Sequence, residues 1–277
     1  MIGRRFKYIF GPVYSWRLGV SLGIDPIYFS CDNKGVYKTK NHQKICNFDC
    51  RYCQLGPTRQ FFLKRQEFVP VRDILEEITA FSDNTSNNID YYTFSGAGEP
   101  CLASNLGEMI RGLRKVIGAA KIAVITNSSF LEYADVRQDL CLSDCVLAKL
   151  DVCNQELMES VNHPAEGIRF DSIIKGIELF KKDFSGRLAL QIMFIEQNQR
   201  YAKDISDIVR MLKPDEIQLN TPLRPSAVSA LTREQMDVIR GYFKGMPVIS
   251  VYDVEKKKVK ALNIEDTTKR HGLFDVS

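Results

Sequence analysis

Three cysteines within a span of eight residues carry the clearest chemical signal in this 277-residue sequence. Cys46, Cys50 and Cys53 have the spacing C-x3-C-x2-C in the stretch Cys46-Asn-Phe-Asp-Cys50-Arg-Tyr-Cys53. Three thiolates can bind three of the irons of a [4Fe–4S] cluster. No fourth cysteine occurs between Gln54 and Arg59. One iron would therefore lack a protein ligand, and an open coordination position is typical of a metal site that performs chemistry.

Zinc is the main alternative metal for these cysteines. A structural zinc site usually has four Cys or His ligands in paired, short spacings, and no second pair of that kind lies near the motif. The chain has eight cysteines in total. In a chain of this length they indicate metal binding or catalysis more than a disulfide framework. The spacing therefore favours an iron–sulfur cluster.

The same motif resembles that of the radical S-adenosylmethionine (SAM) enzymes, in which an aromatic residue, here Tyr52, stands directly before the last cysteine. The resemblance implies that the amino and carboxylate groups of SAM chelate the open iron. It further implies that an electron from the cluster cleaves the sulfonium, so that a 5′-deoxyadenosyl radical abstracts hydrogen from a substrate. An electron donor such as flavodoxin or ferredoxin is the implied partner.

A second motif lies nearer the start of the chain. The run Gly11-Pro-x-x-Ser-x-Arg-Leu-Gly-x-Ser-Leu-Gly-x-Asp25 is similar to the opening of a subgroup related to the wyosine-type tRNA-modification enzymes. Arg17 of this run is expected to face a carboxylate or phosphate, or to form a structural ion pair. Those enzymes have extra cysteines ahead of the SAM motif, and only Cys31 precedes it here. The substrate therefore stays open between an RNA base, a peptide and a small metabolite.

The elements that must position these residues alternate between strand and helix. Apolar residues at 71, 74, 75, 78 and 81 have helical spacing, and further helices are expected near 105–118, 133–142, 155–161, 170–183, 203–212 and 232–243. Strands are expected near 20–24, 90–94, 121–126, 146–151, 187–194 and 216–220, with a further one at 248–252. Apolar residues flank Gly and Pro in 7–24, which predicts a short strand at 7–10 and a turn within 11–19 before the first barrel strand.

Repeated strand-then-helix units predict an α/β fold with a parallel sheet. Six such units are too few for a complete eight-stranded barrel. They match the partial (β/α)6 TIM-like barrel that the resemblance implies, with N- and C-terminal additions. We expect a single domain over residues 1–277, with a core at about 8–225 and an extension at 226–277 that covers the barrel.

Polar and glycine-rich residues follow several of these strands, and catalytic groups of parallel barrels lie at such strand ends. Gly96, Ala97, Gly98 and Glu99 are similar to the Gly-Gly-Glu-Pro motif that binds the SAM amino group in the family. The hydroxyl and amide groups of Thr126-Asn-Ser-Ser129 after the next strand are candidates to hold the ribose or carboxylate of SAM, or alternatively to cap a helix. We assign Asn127 and Ser128 to the SAM-binding residues, together with Tyr52 of the cysteine motif and Asn220 at a later strand end.

Lys149 and Asp151 stand two residues apart, so that on a strand both would point to the same face. Burying such a pair is costly unless it has partners. The subgroup is similar here, and SAM binding or substrate orientation is the implied role. We therefore assign both residues to the catalytic site.

Composition limits the other possibilities. The net charge of +4 is too small to predict nucleic-acid binding by itself, although lysine clusters before Cys46 and near the C-terminus leave RNA open. No apolar run is long enough for a membrane span, and we expect a cytoplasmic protein. Two rival functions stay open: an iron–sulfur electron-transfer protein that does not cleave SAM, and a zinc-stabilised RNA-binding module.

Overall fold

A computed structural model describes residues 6–28, 44–82, 89–224 and 226–253, together with Ala261 and Thr267. Its strands are β1 Ile9–Ser15, β2 Gly19–Ile24, β3 Tyr91–Phe94, β4 Lys121–Thr126, β5 Cys145–Lys149, β6 Arg187–Met193, β7 Glu216–Asn220 and β8 Val248–Ser250. Its α-helices are α1 Val71–Ser82, α2 Leu106–Ile117, α3 Ala134–Leu140, α4 Gln155–Val161, α5 Phe170–Asp183, α6 Ala202–Leu212 and α7 Arg233–Tyr242. Cys31 and most of the lysine-rich segment lie outside the described residues.

All eight strands belong to one sheet whose order follows the sequence from β1 to β8. Strands β2 to β8 pair in parallel, and β1 pairs with β2 antiparallel. The connections between parallel strands carry the helices, as crossover connections require. This arrangement confirms the expected α/β fold, a partial TIM-like barrel. The expected strand at 248–252 is β8, which extends the sheet beside β7.

The core lies between the sheet and the surrounding helices. Helix α1 buries one face through Ile74, Ile78 and Phe81, in accordance with its helical spacing of apolar residues. Strand β4 adds Ile122 and Val124 to the same buried cluster. Near-continuous apolar strands of this kind are expected where both faces of a parallel sheet are covered.

The turn expected within 11–19 lies at 16–18. Its expected start is wrong, because Gly11 and Pro12 lie inside β1. Gly11 has a φ of 97°, and the register between β1 and β2 shifts between Phe10 and Val13. Proline has no amide hydrogen to donate, so within a sheet it is found at edges and irregularities. Strand β1 satisfies that requirement, since it stands first in the strand order and its ladder is irregular at this point.

Small side chains on the inner face of the first parallel strands leave space within the barrel. Ser21 of β2 and Thr93 of β3 share a hydrogen bond of 2.7 Å between their hydroxyl oxygens. Gly23 lies against Phe10, whose ring would be 2.2 Å from a Cβ at that position. The Phe10 ring thus takes the space of a side chain at Gly23, and all four residues line a cavity in the lumen.

Candidate active site

The cysteine-bearing segment follows β2 and is fixed to the segment that follows β3. Ile45 pairs with Gly98 in a short parallel bridge. The Ile45 amide donates to the Ala97 carbonyl at 2.8 Å, and the Glu99 amide donates to the Ile45 carbonyl at 2.9 Å. Cys46 follows Ile45 directly, so these bonds position the first thiol at the carboxyl end of the parallel sheet.

Amide side chains from distant parts of the chain contact two of the three thiols. Asn127 Nδ2 lies 3.9 Å from Cys46 Sγ, and Asn162 Nδ2 lies 3.5 Å from Cys50 Sγ. Burial raises the pKa of the Cys46 thiol to about 12 and that of Cys50 to about 11. Thiolates in such surroundings need positive charge close by, and iron would supply it.

Lys44 is a further part of this site that the sequence did not single out. Its side chain is buried, and its Nζ lies 3.7 Å from Asp49 Oδ1 and donates to the Gly56 carbonyl at 3.1 Å. Burial lowers the pKa of Lys44, but the nearby thiols of Cys53, Cys46 and Cys50 outweigh burial and raise it overall. The sequence does not indicate this role, because Lys44 is the last of several lysines in a polar segment that is typical of a solvated loop.

The donor set fits an iron–sulfur cluster. Cys46, Cys50 and Cys53 all interact electrostatically with the buried Lys44, and side-chain amides are in place to donate to two of the sulfurs, as is common around such clusters. Among the residues that the structure describes, no three Cys, His, Asp or Glu side chains are close enough to share a single metal ion. Ligands of a cluster each bind a different iron and therefore lie further apart than the ligands of one ion.

Glycine is required at two positions of the Gly96–Glu99 segment. Gly96 and Gly98 have φ values of 138° and 153°, which favour glycine. A Cβ on Gly96 would lie 2.4 Å from the Asp25 carboxyl carbon, and one on Gly98 would lie 1.7 Å from the Ile45 carbonyl oxygen. Asp25 in turn accepts from the Ala97 amide at 3.2 Å. The segment is therefore packed closely between β2 and the cysteines.

Glu99 directs its buried carboxylate towards β4. The carboxylate accepts hydrogen bonds from the Asn127 amide at 2.6 Å, the Thr126 hydroxyl at 2.7 Å and the Cys101 amide at 3.0 Å. Burial raises the pKa of Glu99 even though these donors act in the opposite direction. Glu99 therefore joins the ends of β3 and β4, and its contact with SAM stays a prediction.

The residues after β4 also connect elements of the site. Asn127 Nδ2 donates to Asn47 Oδ1 at 2.7 Å, and the Ser128 hydroxyl donates to the Lys149 carbonyl at 2.9 Å. Ser128 has a φ of 72°, a conformation uncommon for residues other than glycine and enriched at functional sites. Asn127 thus lies beside the Cys46 thiol and Ser128 beside the end of β5, and their contacts with SAM stay predictions.

Asp151 is the centre of a buried network beside Cys50. Its carboxylate accepts from the Tyr52 hydroxyl, from Asn162 Nδ2 at 2.9 Å and from the Met193 amide at 2.7 Å. Lys149 Nζ lies 3.5 Å from Asp151 Oδ1 and 4.7 Å from the centroid of the Tyr52 ring. The structure therefore brings the two predicted catalytic residues together, and Tyr52 of the cysteine loop contacts both of them.

One detail of that prediction is wrong, because β5 ends at Lys149 and does not include Asp151. The Leu150 amide still donates to the Gln191 carbonyl at 3.1 Å. The Met193 amide of β6, however, donates to the side chain of Asp151. The Asp151 carboxylate thus accepts the hydrogen bond that a backbone carbonyl of a continued β5 would otherwise accept from Met193. The pairing of β5 with β6 therefore ends at Lys149 and Gln191.

We expect the substitution Asp151→Asn to destabilise the protein by about 3 kcal/mol. The new amide group must face either Asn162 Nδ2 or the Met193 amide, both of which are donors, and Lys149 loses its carboxylate. Urea unfolding measures the change. Asp207→Asn is the matched control, because Asp207 forms a Lys–Asp pair of 2.7 Å with Lys203 on an exposed face, where such pairs contribute little. Equal stability of Asp151→Asn and wild type would contradict this result.

A cavity of about 550 Å³ occupies the barrel lumen. Its wall includes Ser21 and Thr93 of the inner strand faces, Ser95 after β3 and Gln54, the residue directly after Cys53. Of the residues predicted to bind SAM, only Asn220 is among the described residues that line it. The cavity therefore adjoins the cysteine loop and is formed mostly by other side chains.

No helix in the described part of the chain combines the length and apolar character needed to cross a membrane.

The comparisons with known proteins identify relatives of this chain. The family model described as the radical SAM superfamily matches residues 40–209. A UPF0026 protein of Synechocystis sp. is 39% identical over 221 residues, which are 79% of this chain and 77% of that protein. A protein of Brachyspira hyodysenteriae called GTPase Obg is 31% identical over 271 residues. The match covers 94% of this chain but only 38% of that protein.

Among solved structures, Streptococcus suis SuiB bound to the precursor peptide SuiA is similar with a TM-score of 0.59. The match has 14% sequence identity and covers 75% of this chain and 47% of SuiB. At that identity the likeness concerns the fold alone.

Proposed function

This chain belongs to the radical SAM superfamily, and from that premise we propose that it removes a hydrogen atom from a substrate held in the barrel lumen. The observation that carries the proposal is the position of the cavity. It is lined by the inner faces of the parallel strands and by Gln54, which directly follows Cys53. A substrate in this space would lie beside the cysteine loop.

The chain is an enzyme that uses a [4Fe–4S] cluster and SAM, as its superfamily does. When bound, the cluster supplies the electron that cleaves the SAM sulfonium and so provides the 5′-deoxyadenosyl radical. The protein's own part is binding, orientation and exclusion of water.

Each candidate residue has a role that its contacts support. Cys46, Cys50 and Cys53 would hold the cluster, with Asn127 and Asn162 as hydrogen-bond donors to two of the sulfurs. The close-packed glycines Gly96 and Gly98 allow backbone groups to approach SAM, while Asn220 reaches the cavity from the end of β7.

Tyr52, Lys149 and Asp151 act as positioning residues in this proposal. Their network fixes Asn162 against Cys50, since Asn162 Nδ2 bonds both the Asp151 carboxylate and the Tyr52 hydroxyl, at 2.9 and 3.1 Å. Lys149 also has its charge directed towards the cysteine loop over the Tyr52 ring. An external one-electron donor such as flavodoxin or ferredoxin would reduce the cluster.

Cleavage of SAM by the protein is the test. The protein is reconstituted anaerobically with iron and sulfide, reduced in the presence of SAM, and analysed by chromatography for 5′-deoxyadenosine. We expect 5′-deoxyadenosine to form with reductant and to be absent without it. A reconstituted cluster that yields none, with or without candidate substrates, would support the electron-transfer alternative instead.

A further inference from the structure

The lumen cavity is lined by positive charge. Arg17, Arg224 and Arg233 are all part of its wall. Among the described residues that line the cavity there is no aspartate or glutamate. Arg17 and Arg224 are close enough for the charge of Arg224 to lower the pKa of Arg17, and an anion between them would relieve that repulsion. This distribution of charge points to an anionic ligand.

Arg17 is the arginine whose position needs an anion most. It lies between β1 and β2, and its Nε is buried without a hydrogen-bond partner. No carboxylate in the described part of the chain lies within salt-bridge distance of it. Burial, and then the charge of Arg224, lower the pKa of Arg17 to about 10. The structural ion pair that the sequence allowed is thus not formed with any described acid.

Neighbouring side chains hold these guanidinium groups in place. The Arg17 guanidinium carbon lies 5.5 Å from the centroid of the Trp16 ring. That of Arg233 lies 5.0 Å from the centroid of the Tyr252 ring. Contacts of this kind with aromatic faces orient a guanidinium while leaving its N–H groups available to a ligand.

Arg224 connects this charged wall to the cysteine loop. Its Nη1 donates to Gln54 Oε1 at 3.3 Å, and Gln54 directly follows Cys53. Arg17 is buried at Nε, whereas Arg224 is exposed. A ligand that reached both arginines would therefore extend from the solvent side of the cavity into the lumen, beside the predicted cluster.

We propose, on the basis of the function proposed above, that the substrate is a small phosphorylated molecule whose phosphate is bound by Arg17 and Arg224. Guanidinium groups bind phosphate oxygens in pairs of parallel hydrogen bonds, and the two positive charges of Arg17 and Arg224 match a phosphate that carries about two negative ones. The cavity volume of about 550 Å³ is in the usual range for small-molecule sites.

Pyrophosphate is the probe for this site. Isothermal titration calorimetry of the anaerobically reconstituted protein with SAM present should show saturable pyrophosphate binding. We expect Arg17→Gln and Arg224→Gln each to weaken it about tenfold or more, since each variant loses charge-assisted hydrogen bonds to the phosphate oxygens. Arg224 is exposed, so its variant is informative even if Arg17→Gln does not fold.

Arg200→Gln is the matched control, because Arg200 also lies against an aromatic ring, that of Tyr201 at 4.9 Å, but does not line the cavity. It should bind pyrophosphate like wild type. No saturable binding, or binding unchanged in Arg224→Gln, would overturn the phosphate site. Tighter binding of succinate than of pyrophosphate would assign the site to carboxylates, and tighter Arg224-dependent binding of a short oligoribonucleotide would assign it to RNA.

Failure of this phosphate site can be told apart from failure of the proposed function. Pyrophosphate binding is measured without turnover, whereas SAM cleavage is measured as 5′-deoxyadenosine. A protein that forms 5′-deoxyadenosine but does not bind pyrophosphate has the proposed reaction and a different substrate class.

Discussion

Replacement of Cys50 by alanine is expected to lower 5′-deoxyadenosine formation at least about 100-fold, because the variant loses one of the three proposed ligands of the cluster. Changing even outer partners of a metal site commonly costs 10- to 100-fold in affinity or activity. The Cys50 thiol also accepts from Asn162 Nδ2 at 3.5 Å, so its loss removes one of the two amide contacts to sulfur. The remaining thiols, Cys46 and Cys53, cannot hold three irons.

Iron and sulfide content, the electron paramagnetic resonance signal of the reduced protein and 5′-deoxyadenosine are the three measurements. Cys141→Ala is the matched control, since Cys141 is a half-buried thiol at the end of α3 whose Sγ lies 3.8 Å from the Asp183 carbonyl oxygen. It should retain wild-type iron. A Cys50→Ala protein with wild-type iron content and 5′-deoxyadenosine formation would show that the three-cysteine assignment is wrong.

The second large effect is expected from Gly98→Ala. The new methyl group would lie 1.7 Å from the Ile45 carbonyl oxygen, a distance that forces the backbone apart. Ile45 immediately precedes Cys46 and is bonded to both Ala97 and Glu99. We therefore expect a loss of about 3 kcal/mol or more in the free energy of unfolding, together with weaker SAM binding.

Gly118→Ala is the control for backbone strain, because it introduces a side chain at a positive φ without a clash like that of Gly98→Ala with the Ile45 carbonyl. Gly118 also has a positive φ, of 59°, but nothing lies within 4 Å of a Cβ placed there. It should cost about 1 kcal/mol. Urea unfolding of both variants gives the two free energies, and equilibrium dialysis with SAM gives the affinity. If Gly98→Ala is no less stable than Gly118→Ala, the close approach to Ile45 does not constrain the site.

The hydrogen bonds of the buried network bear on whether its two carboxylates, Glu99 and Asp151, could accept a proton from a substrate. Glu99 and Asp151 each have both carboxylate oxygens in hydrogen bonds with the protein. Neither is a free base in this arrangement. Their charges are used to connect strand ends to the cysteine loop, which keeps the thiols and the lumen in a fixed relation.

Sequence patterns over a few residues predicted the features of this protein that depend on interactions between residues close in sequence. The three cysteines lie within eight residues, so their spacing alone indicated a cluster with an open position. Helices α4 and α5 begin and end where the sequence predicts them, at Gln155–Val161 and Phe170–Asp183, because a helix buries residues that recur every three or four positions. The alternation of strand and helix likewise predicted the parallel sheet.

Local patterns placed two boundaries wrongly: the start of the turn expected within 11–19, and the end of the strand expected to continue to Asp151. Proline and glycine favour turns, but at an edge with an irregular ladder the strand can pass through them. A carboxylate that accepts a backbone hydrogen bond from the neighbouring strand can end a ladder, and that partner lies far away in sequence: Met193 is 42 residues from Asp151.

Only the tertiary structure decided which side chains surround the thiols and which line the lumen. Asn162 reaches Cys50 across 112 residues, and Arg224 reaches Gln54 across 170. In the sequence Lys44 is one of several lysines before Cys46. In the fold its side chain is buried, and the thiols of all three cysteines act on its charge. The sequence by itself predicted the three cysteine ligands and the barrel, since both depend on short-range spacing. The charge and shape of the substrate site depend on contacts that exist only once the sheet has formed.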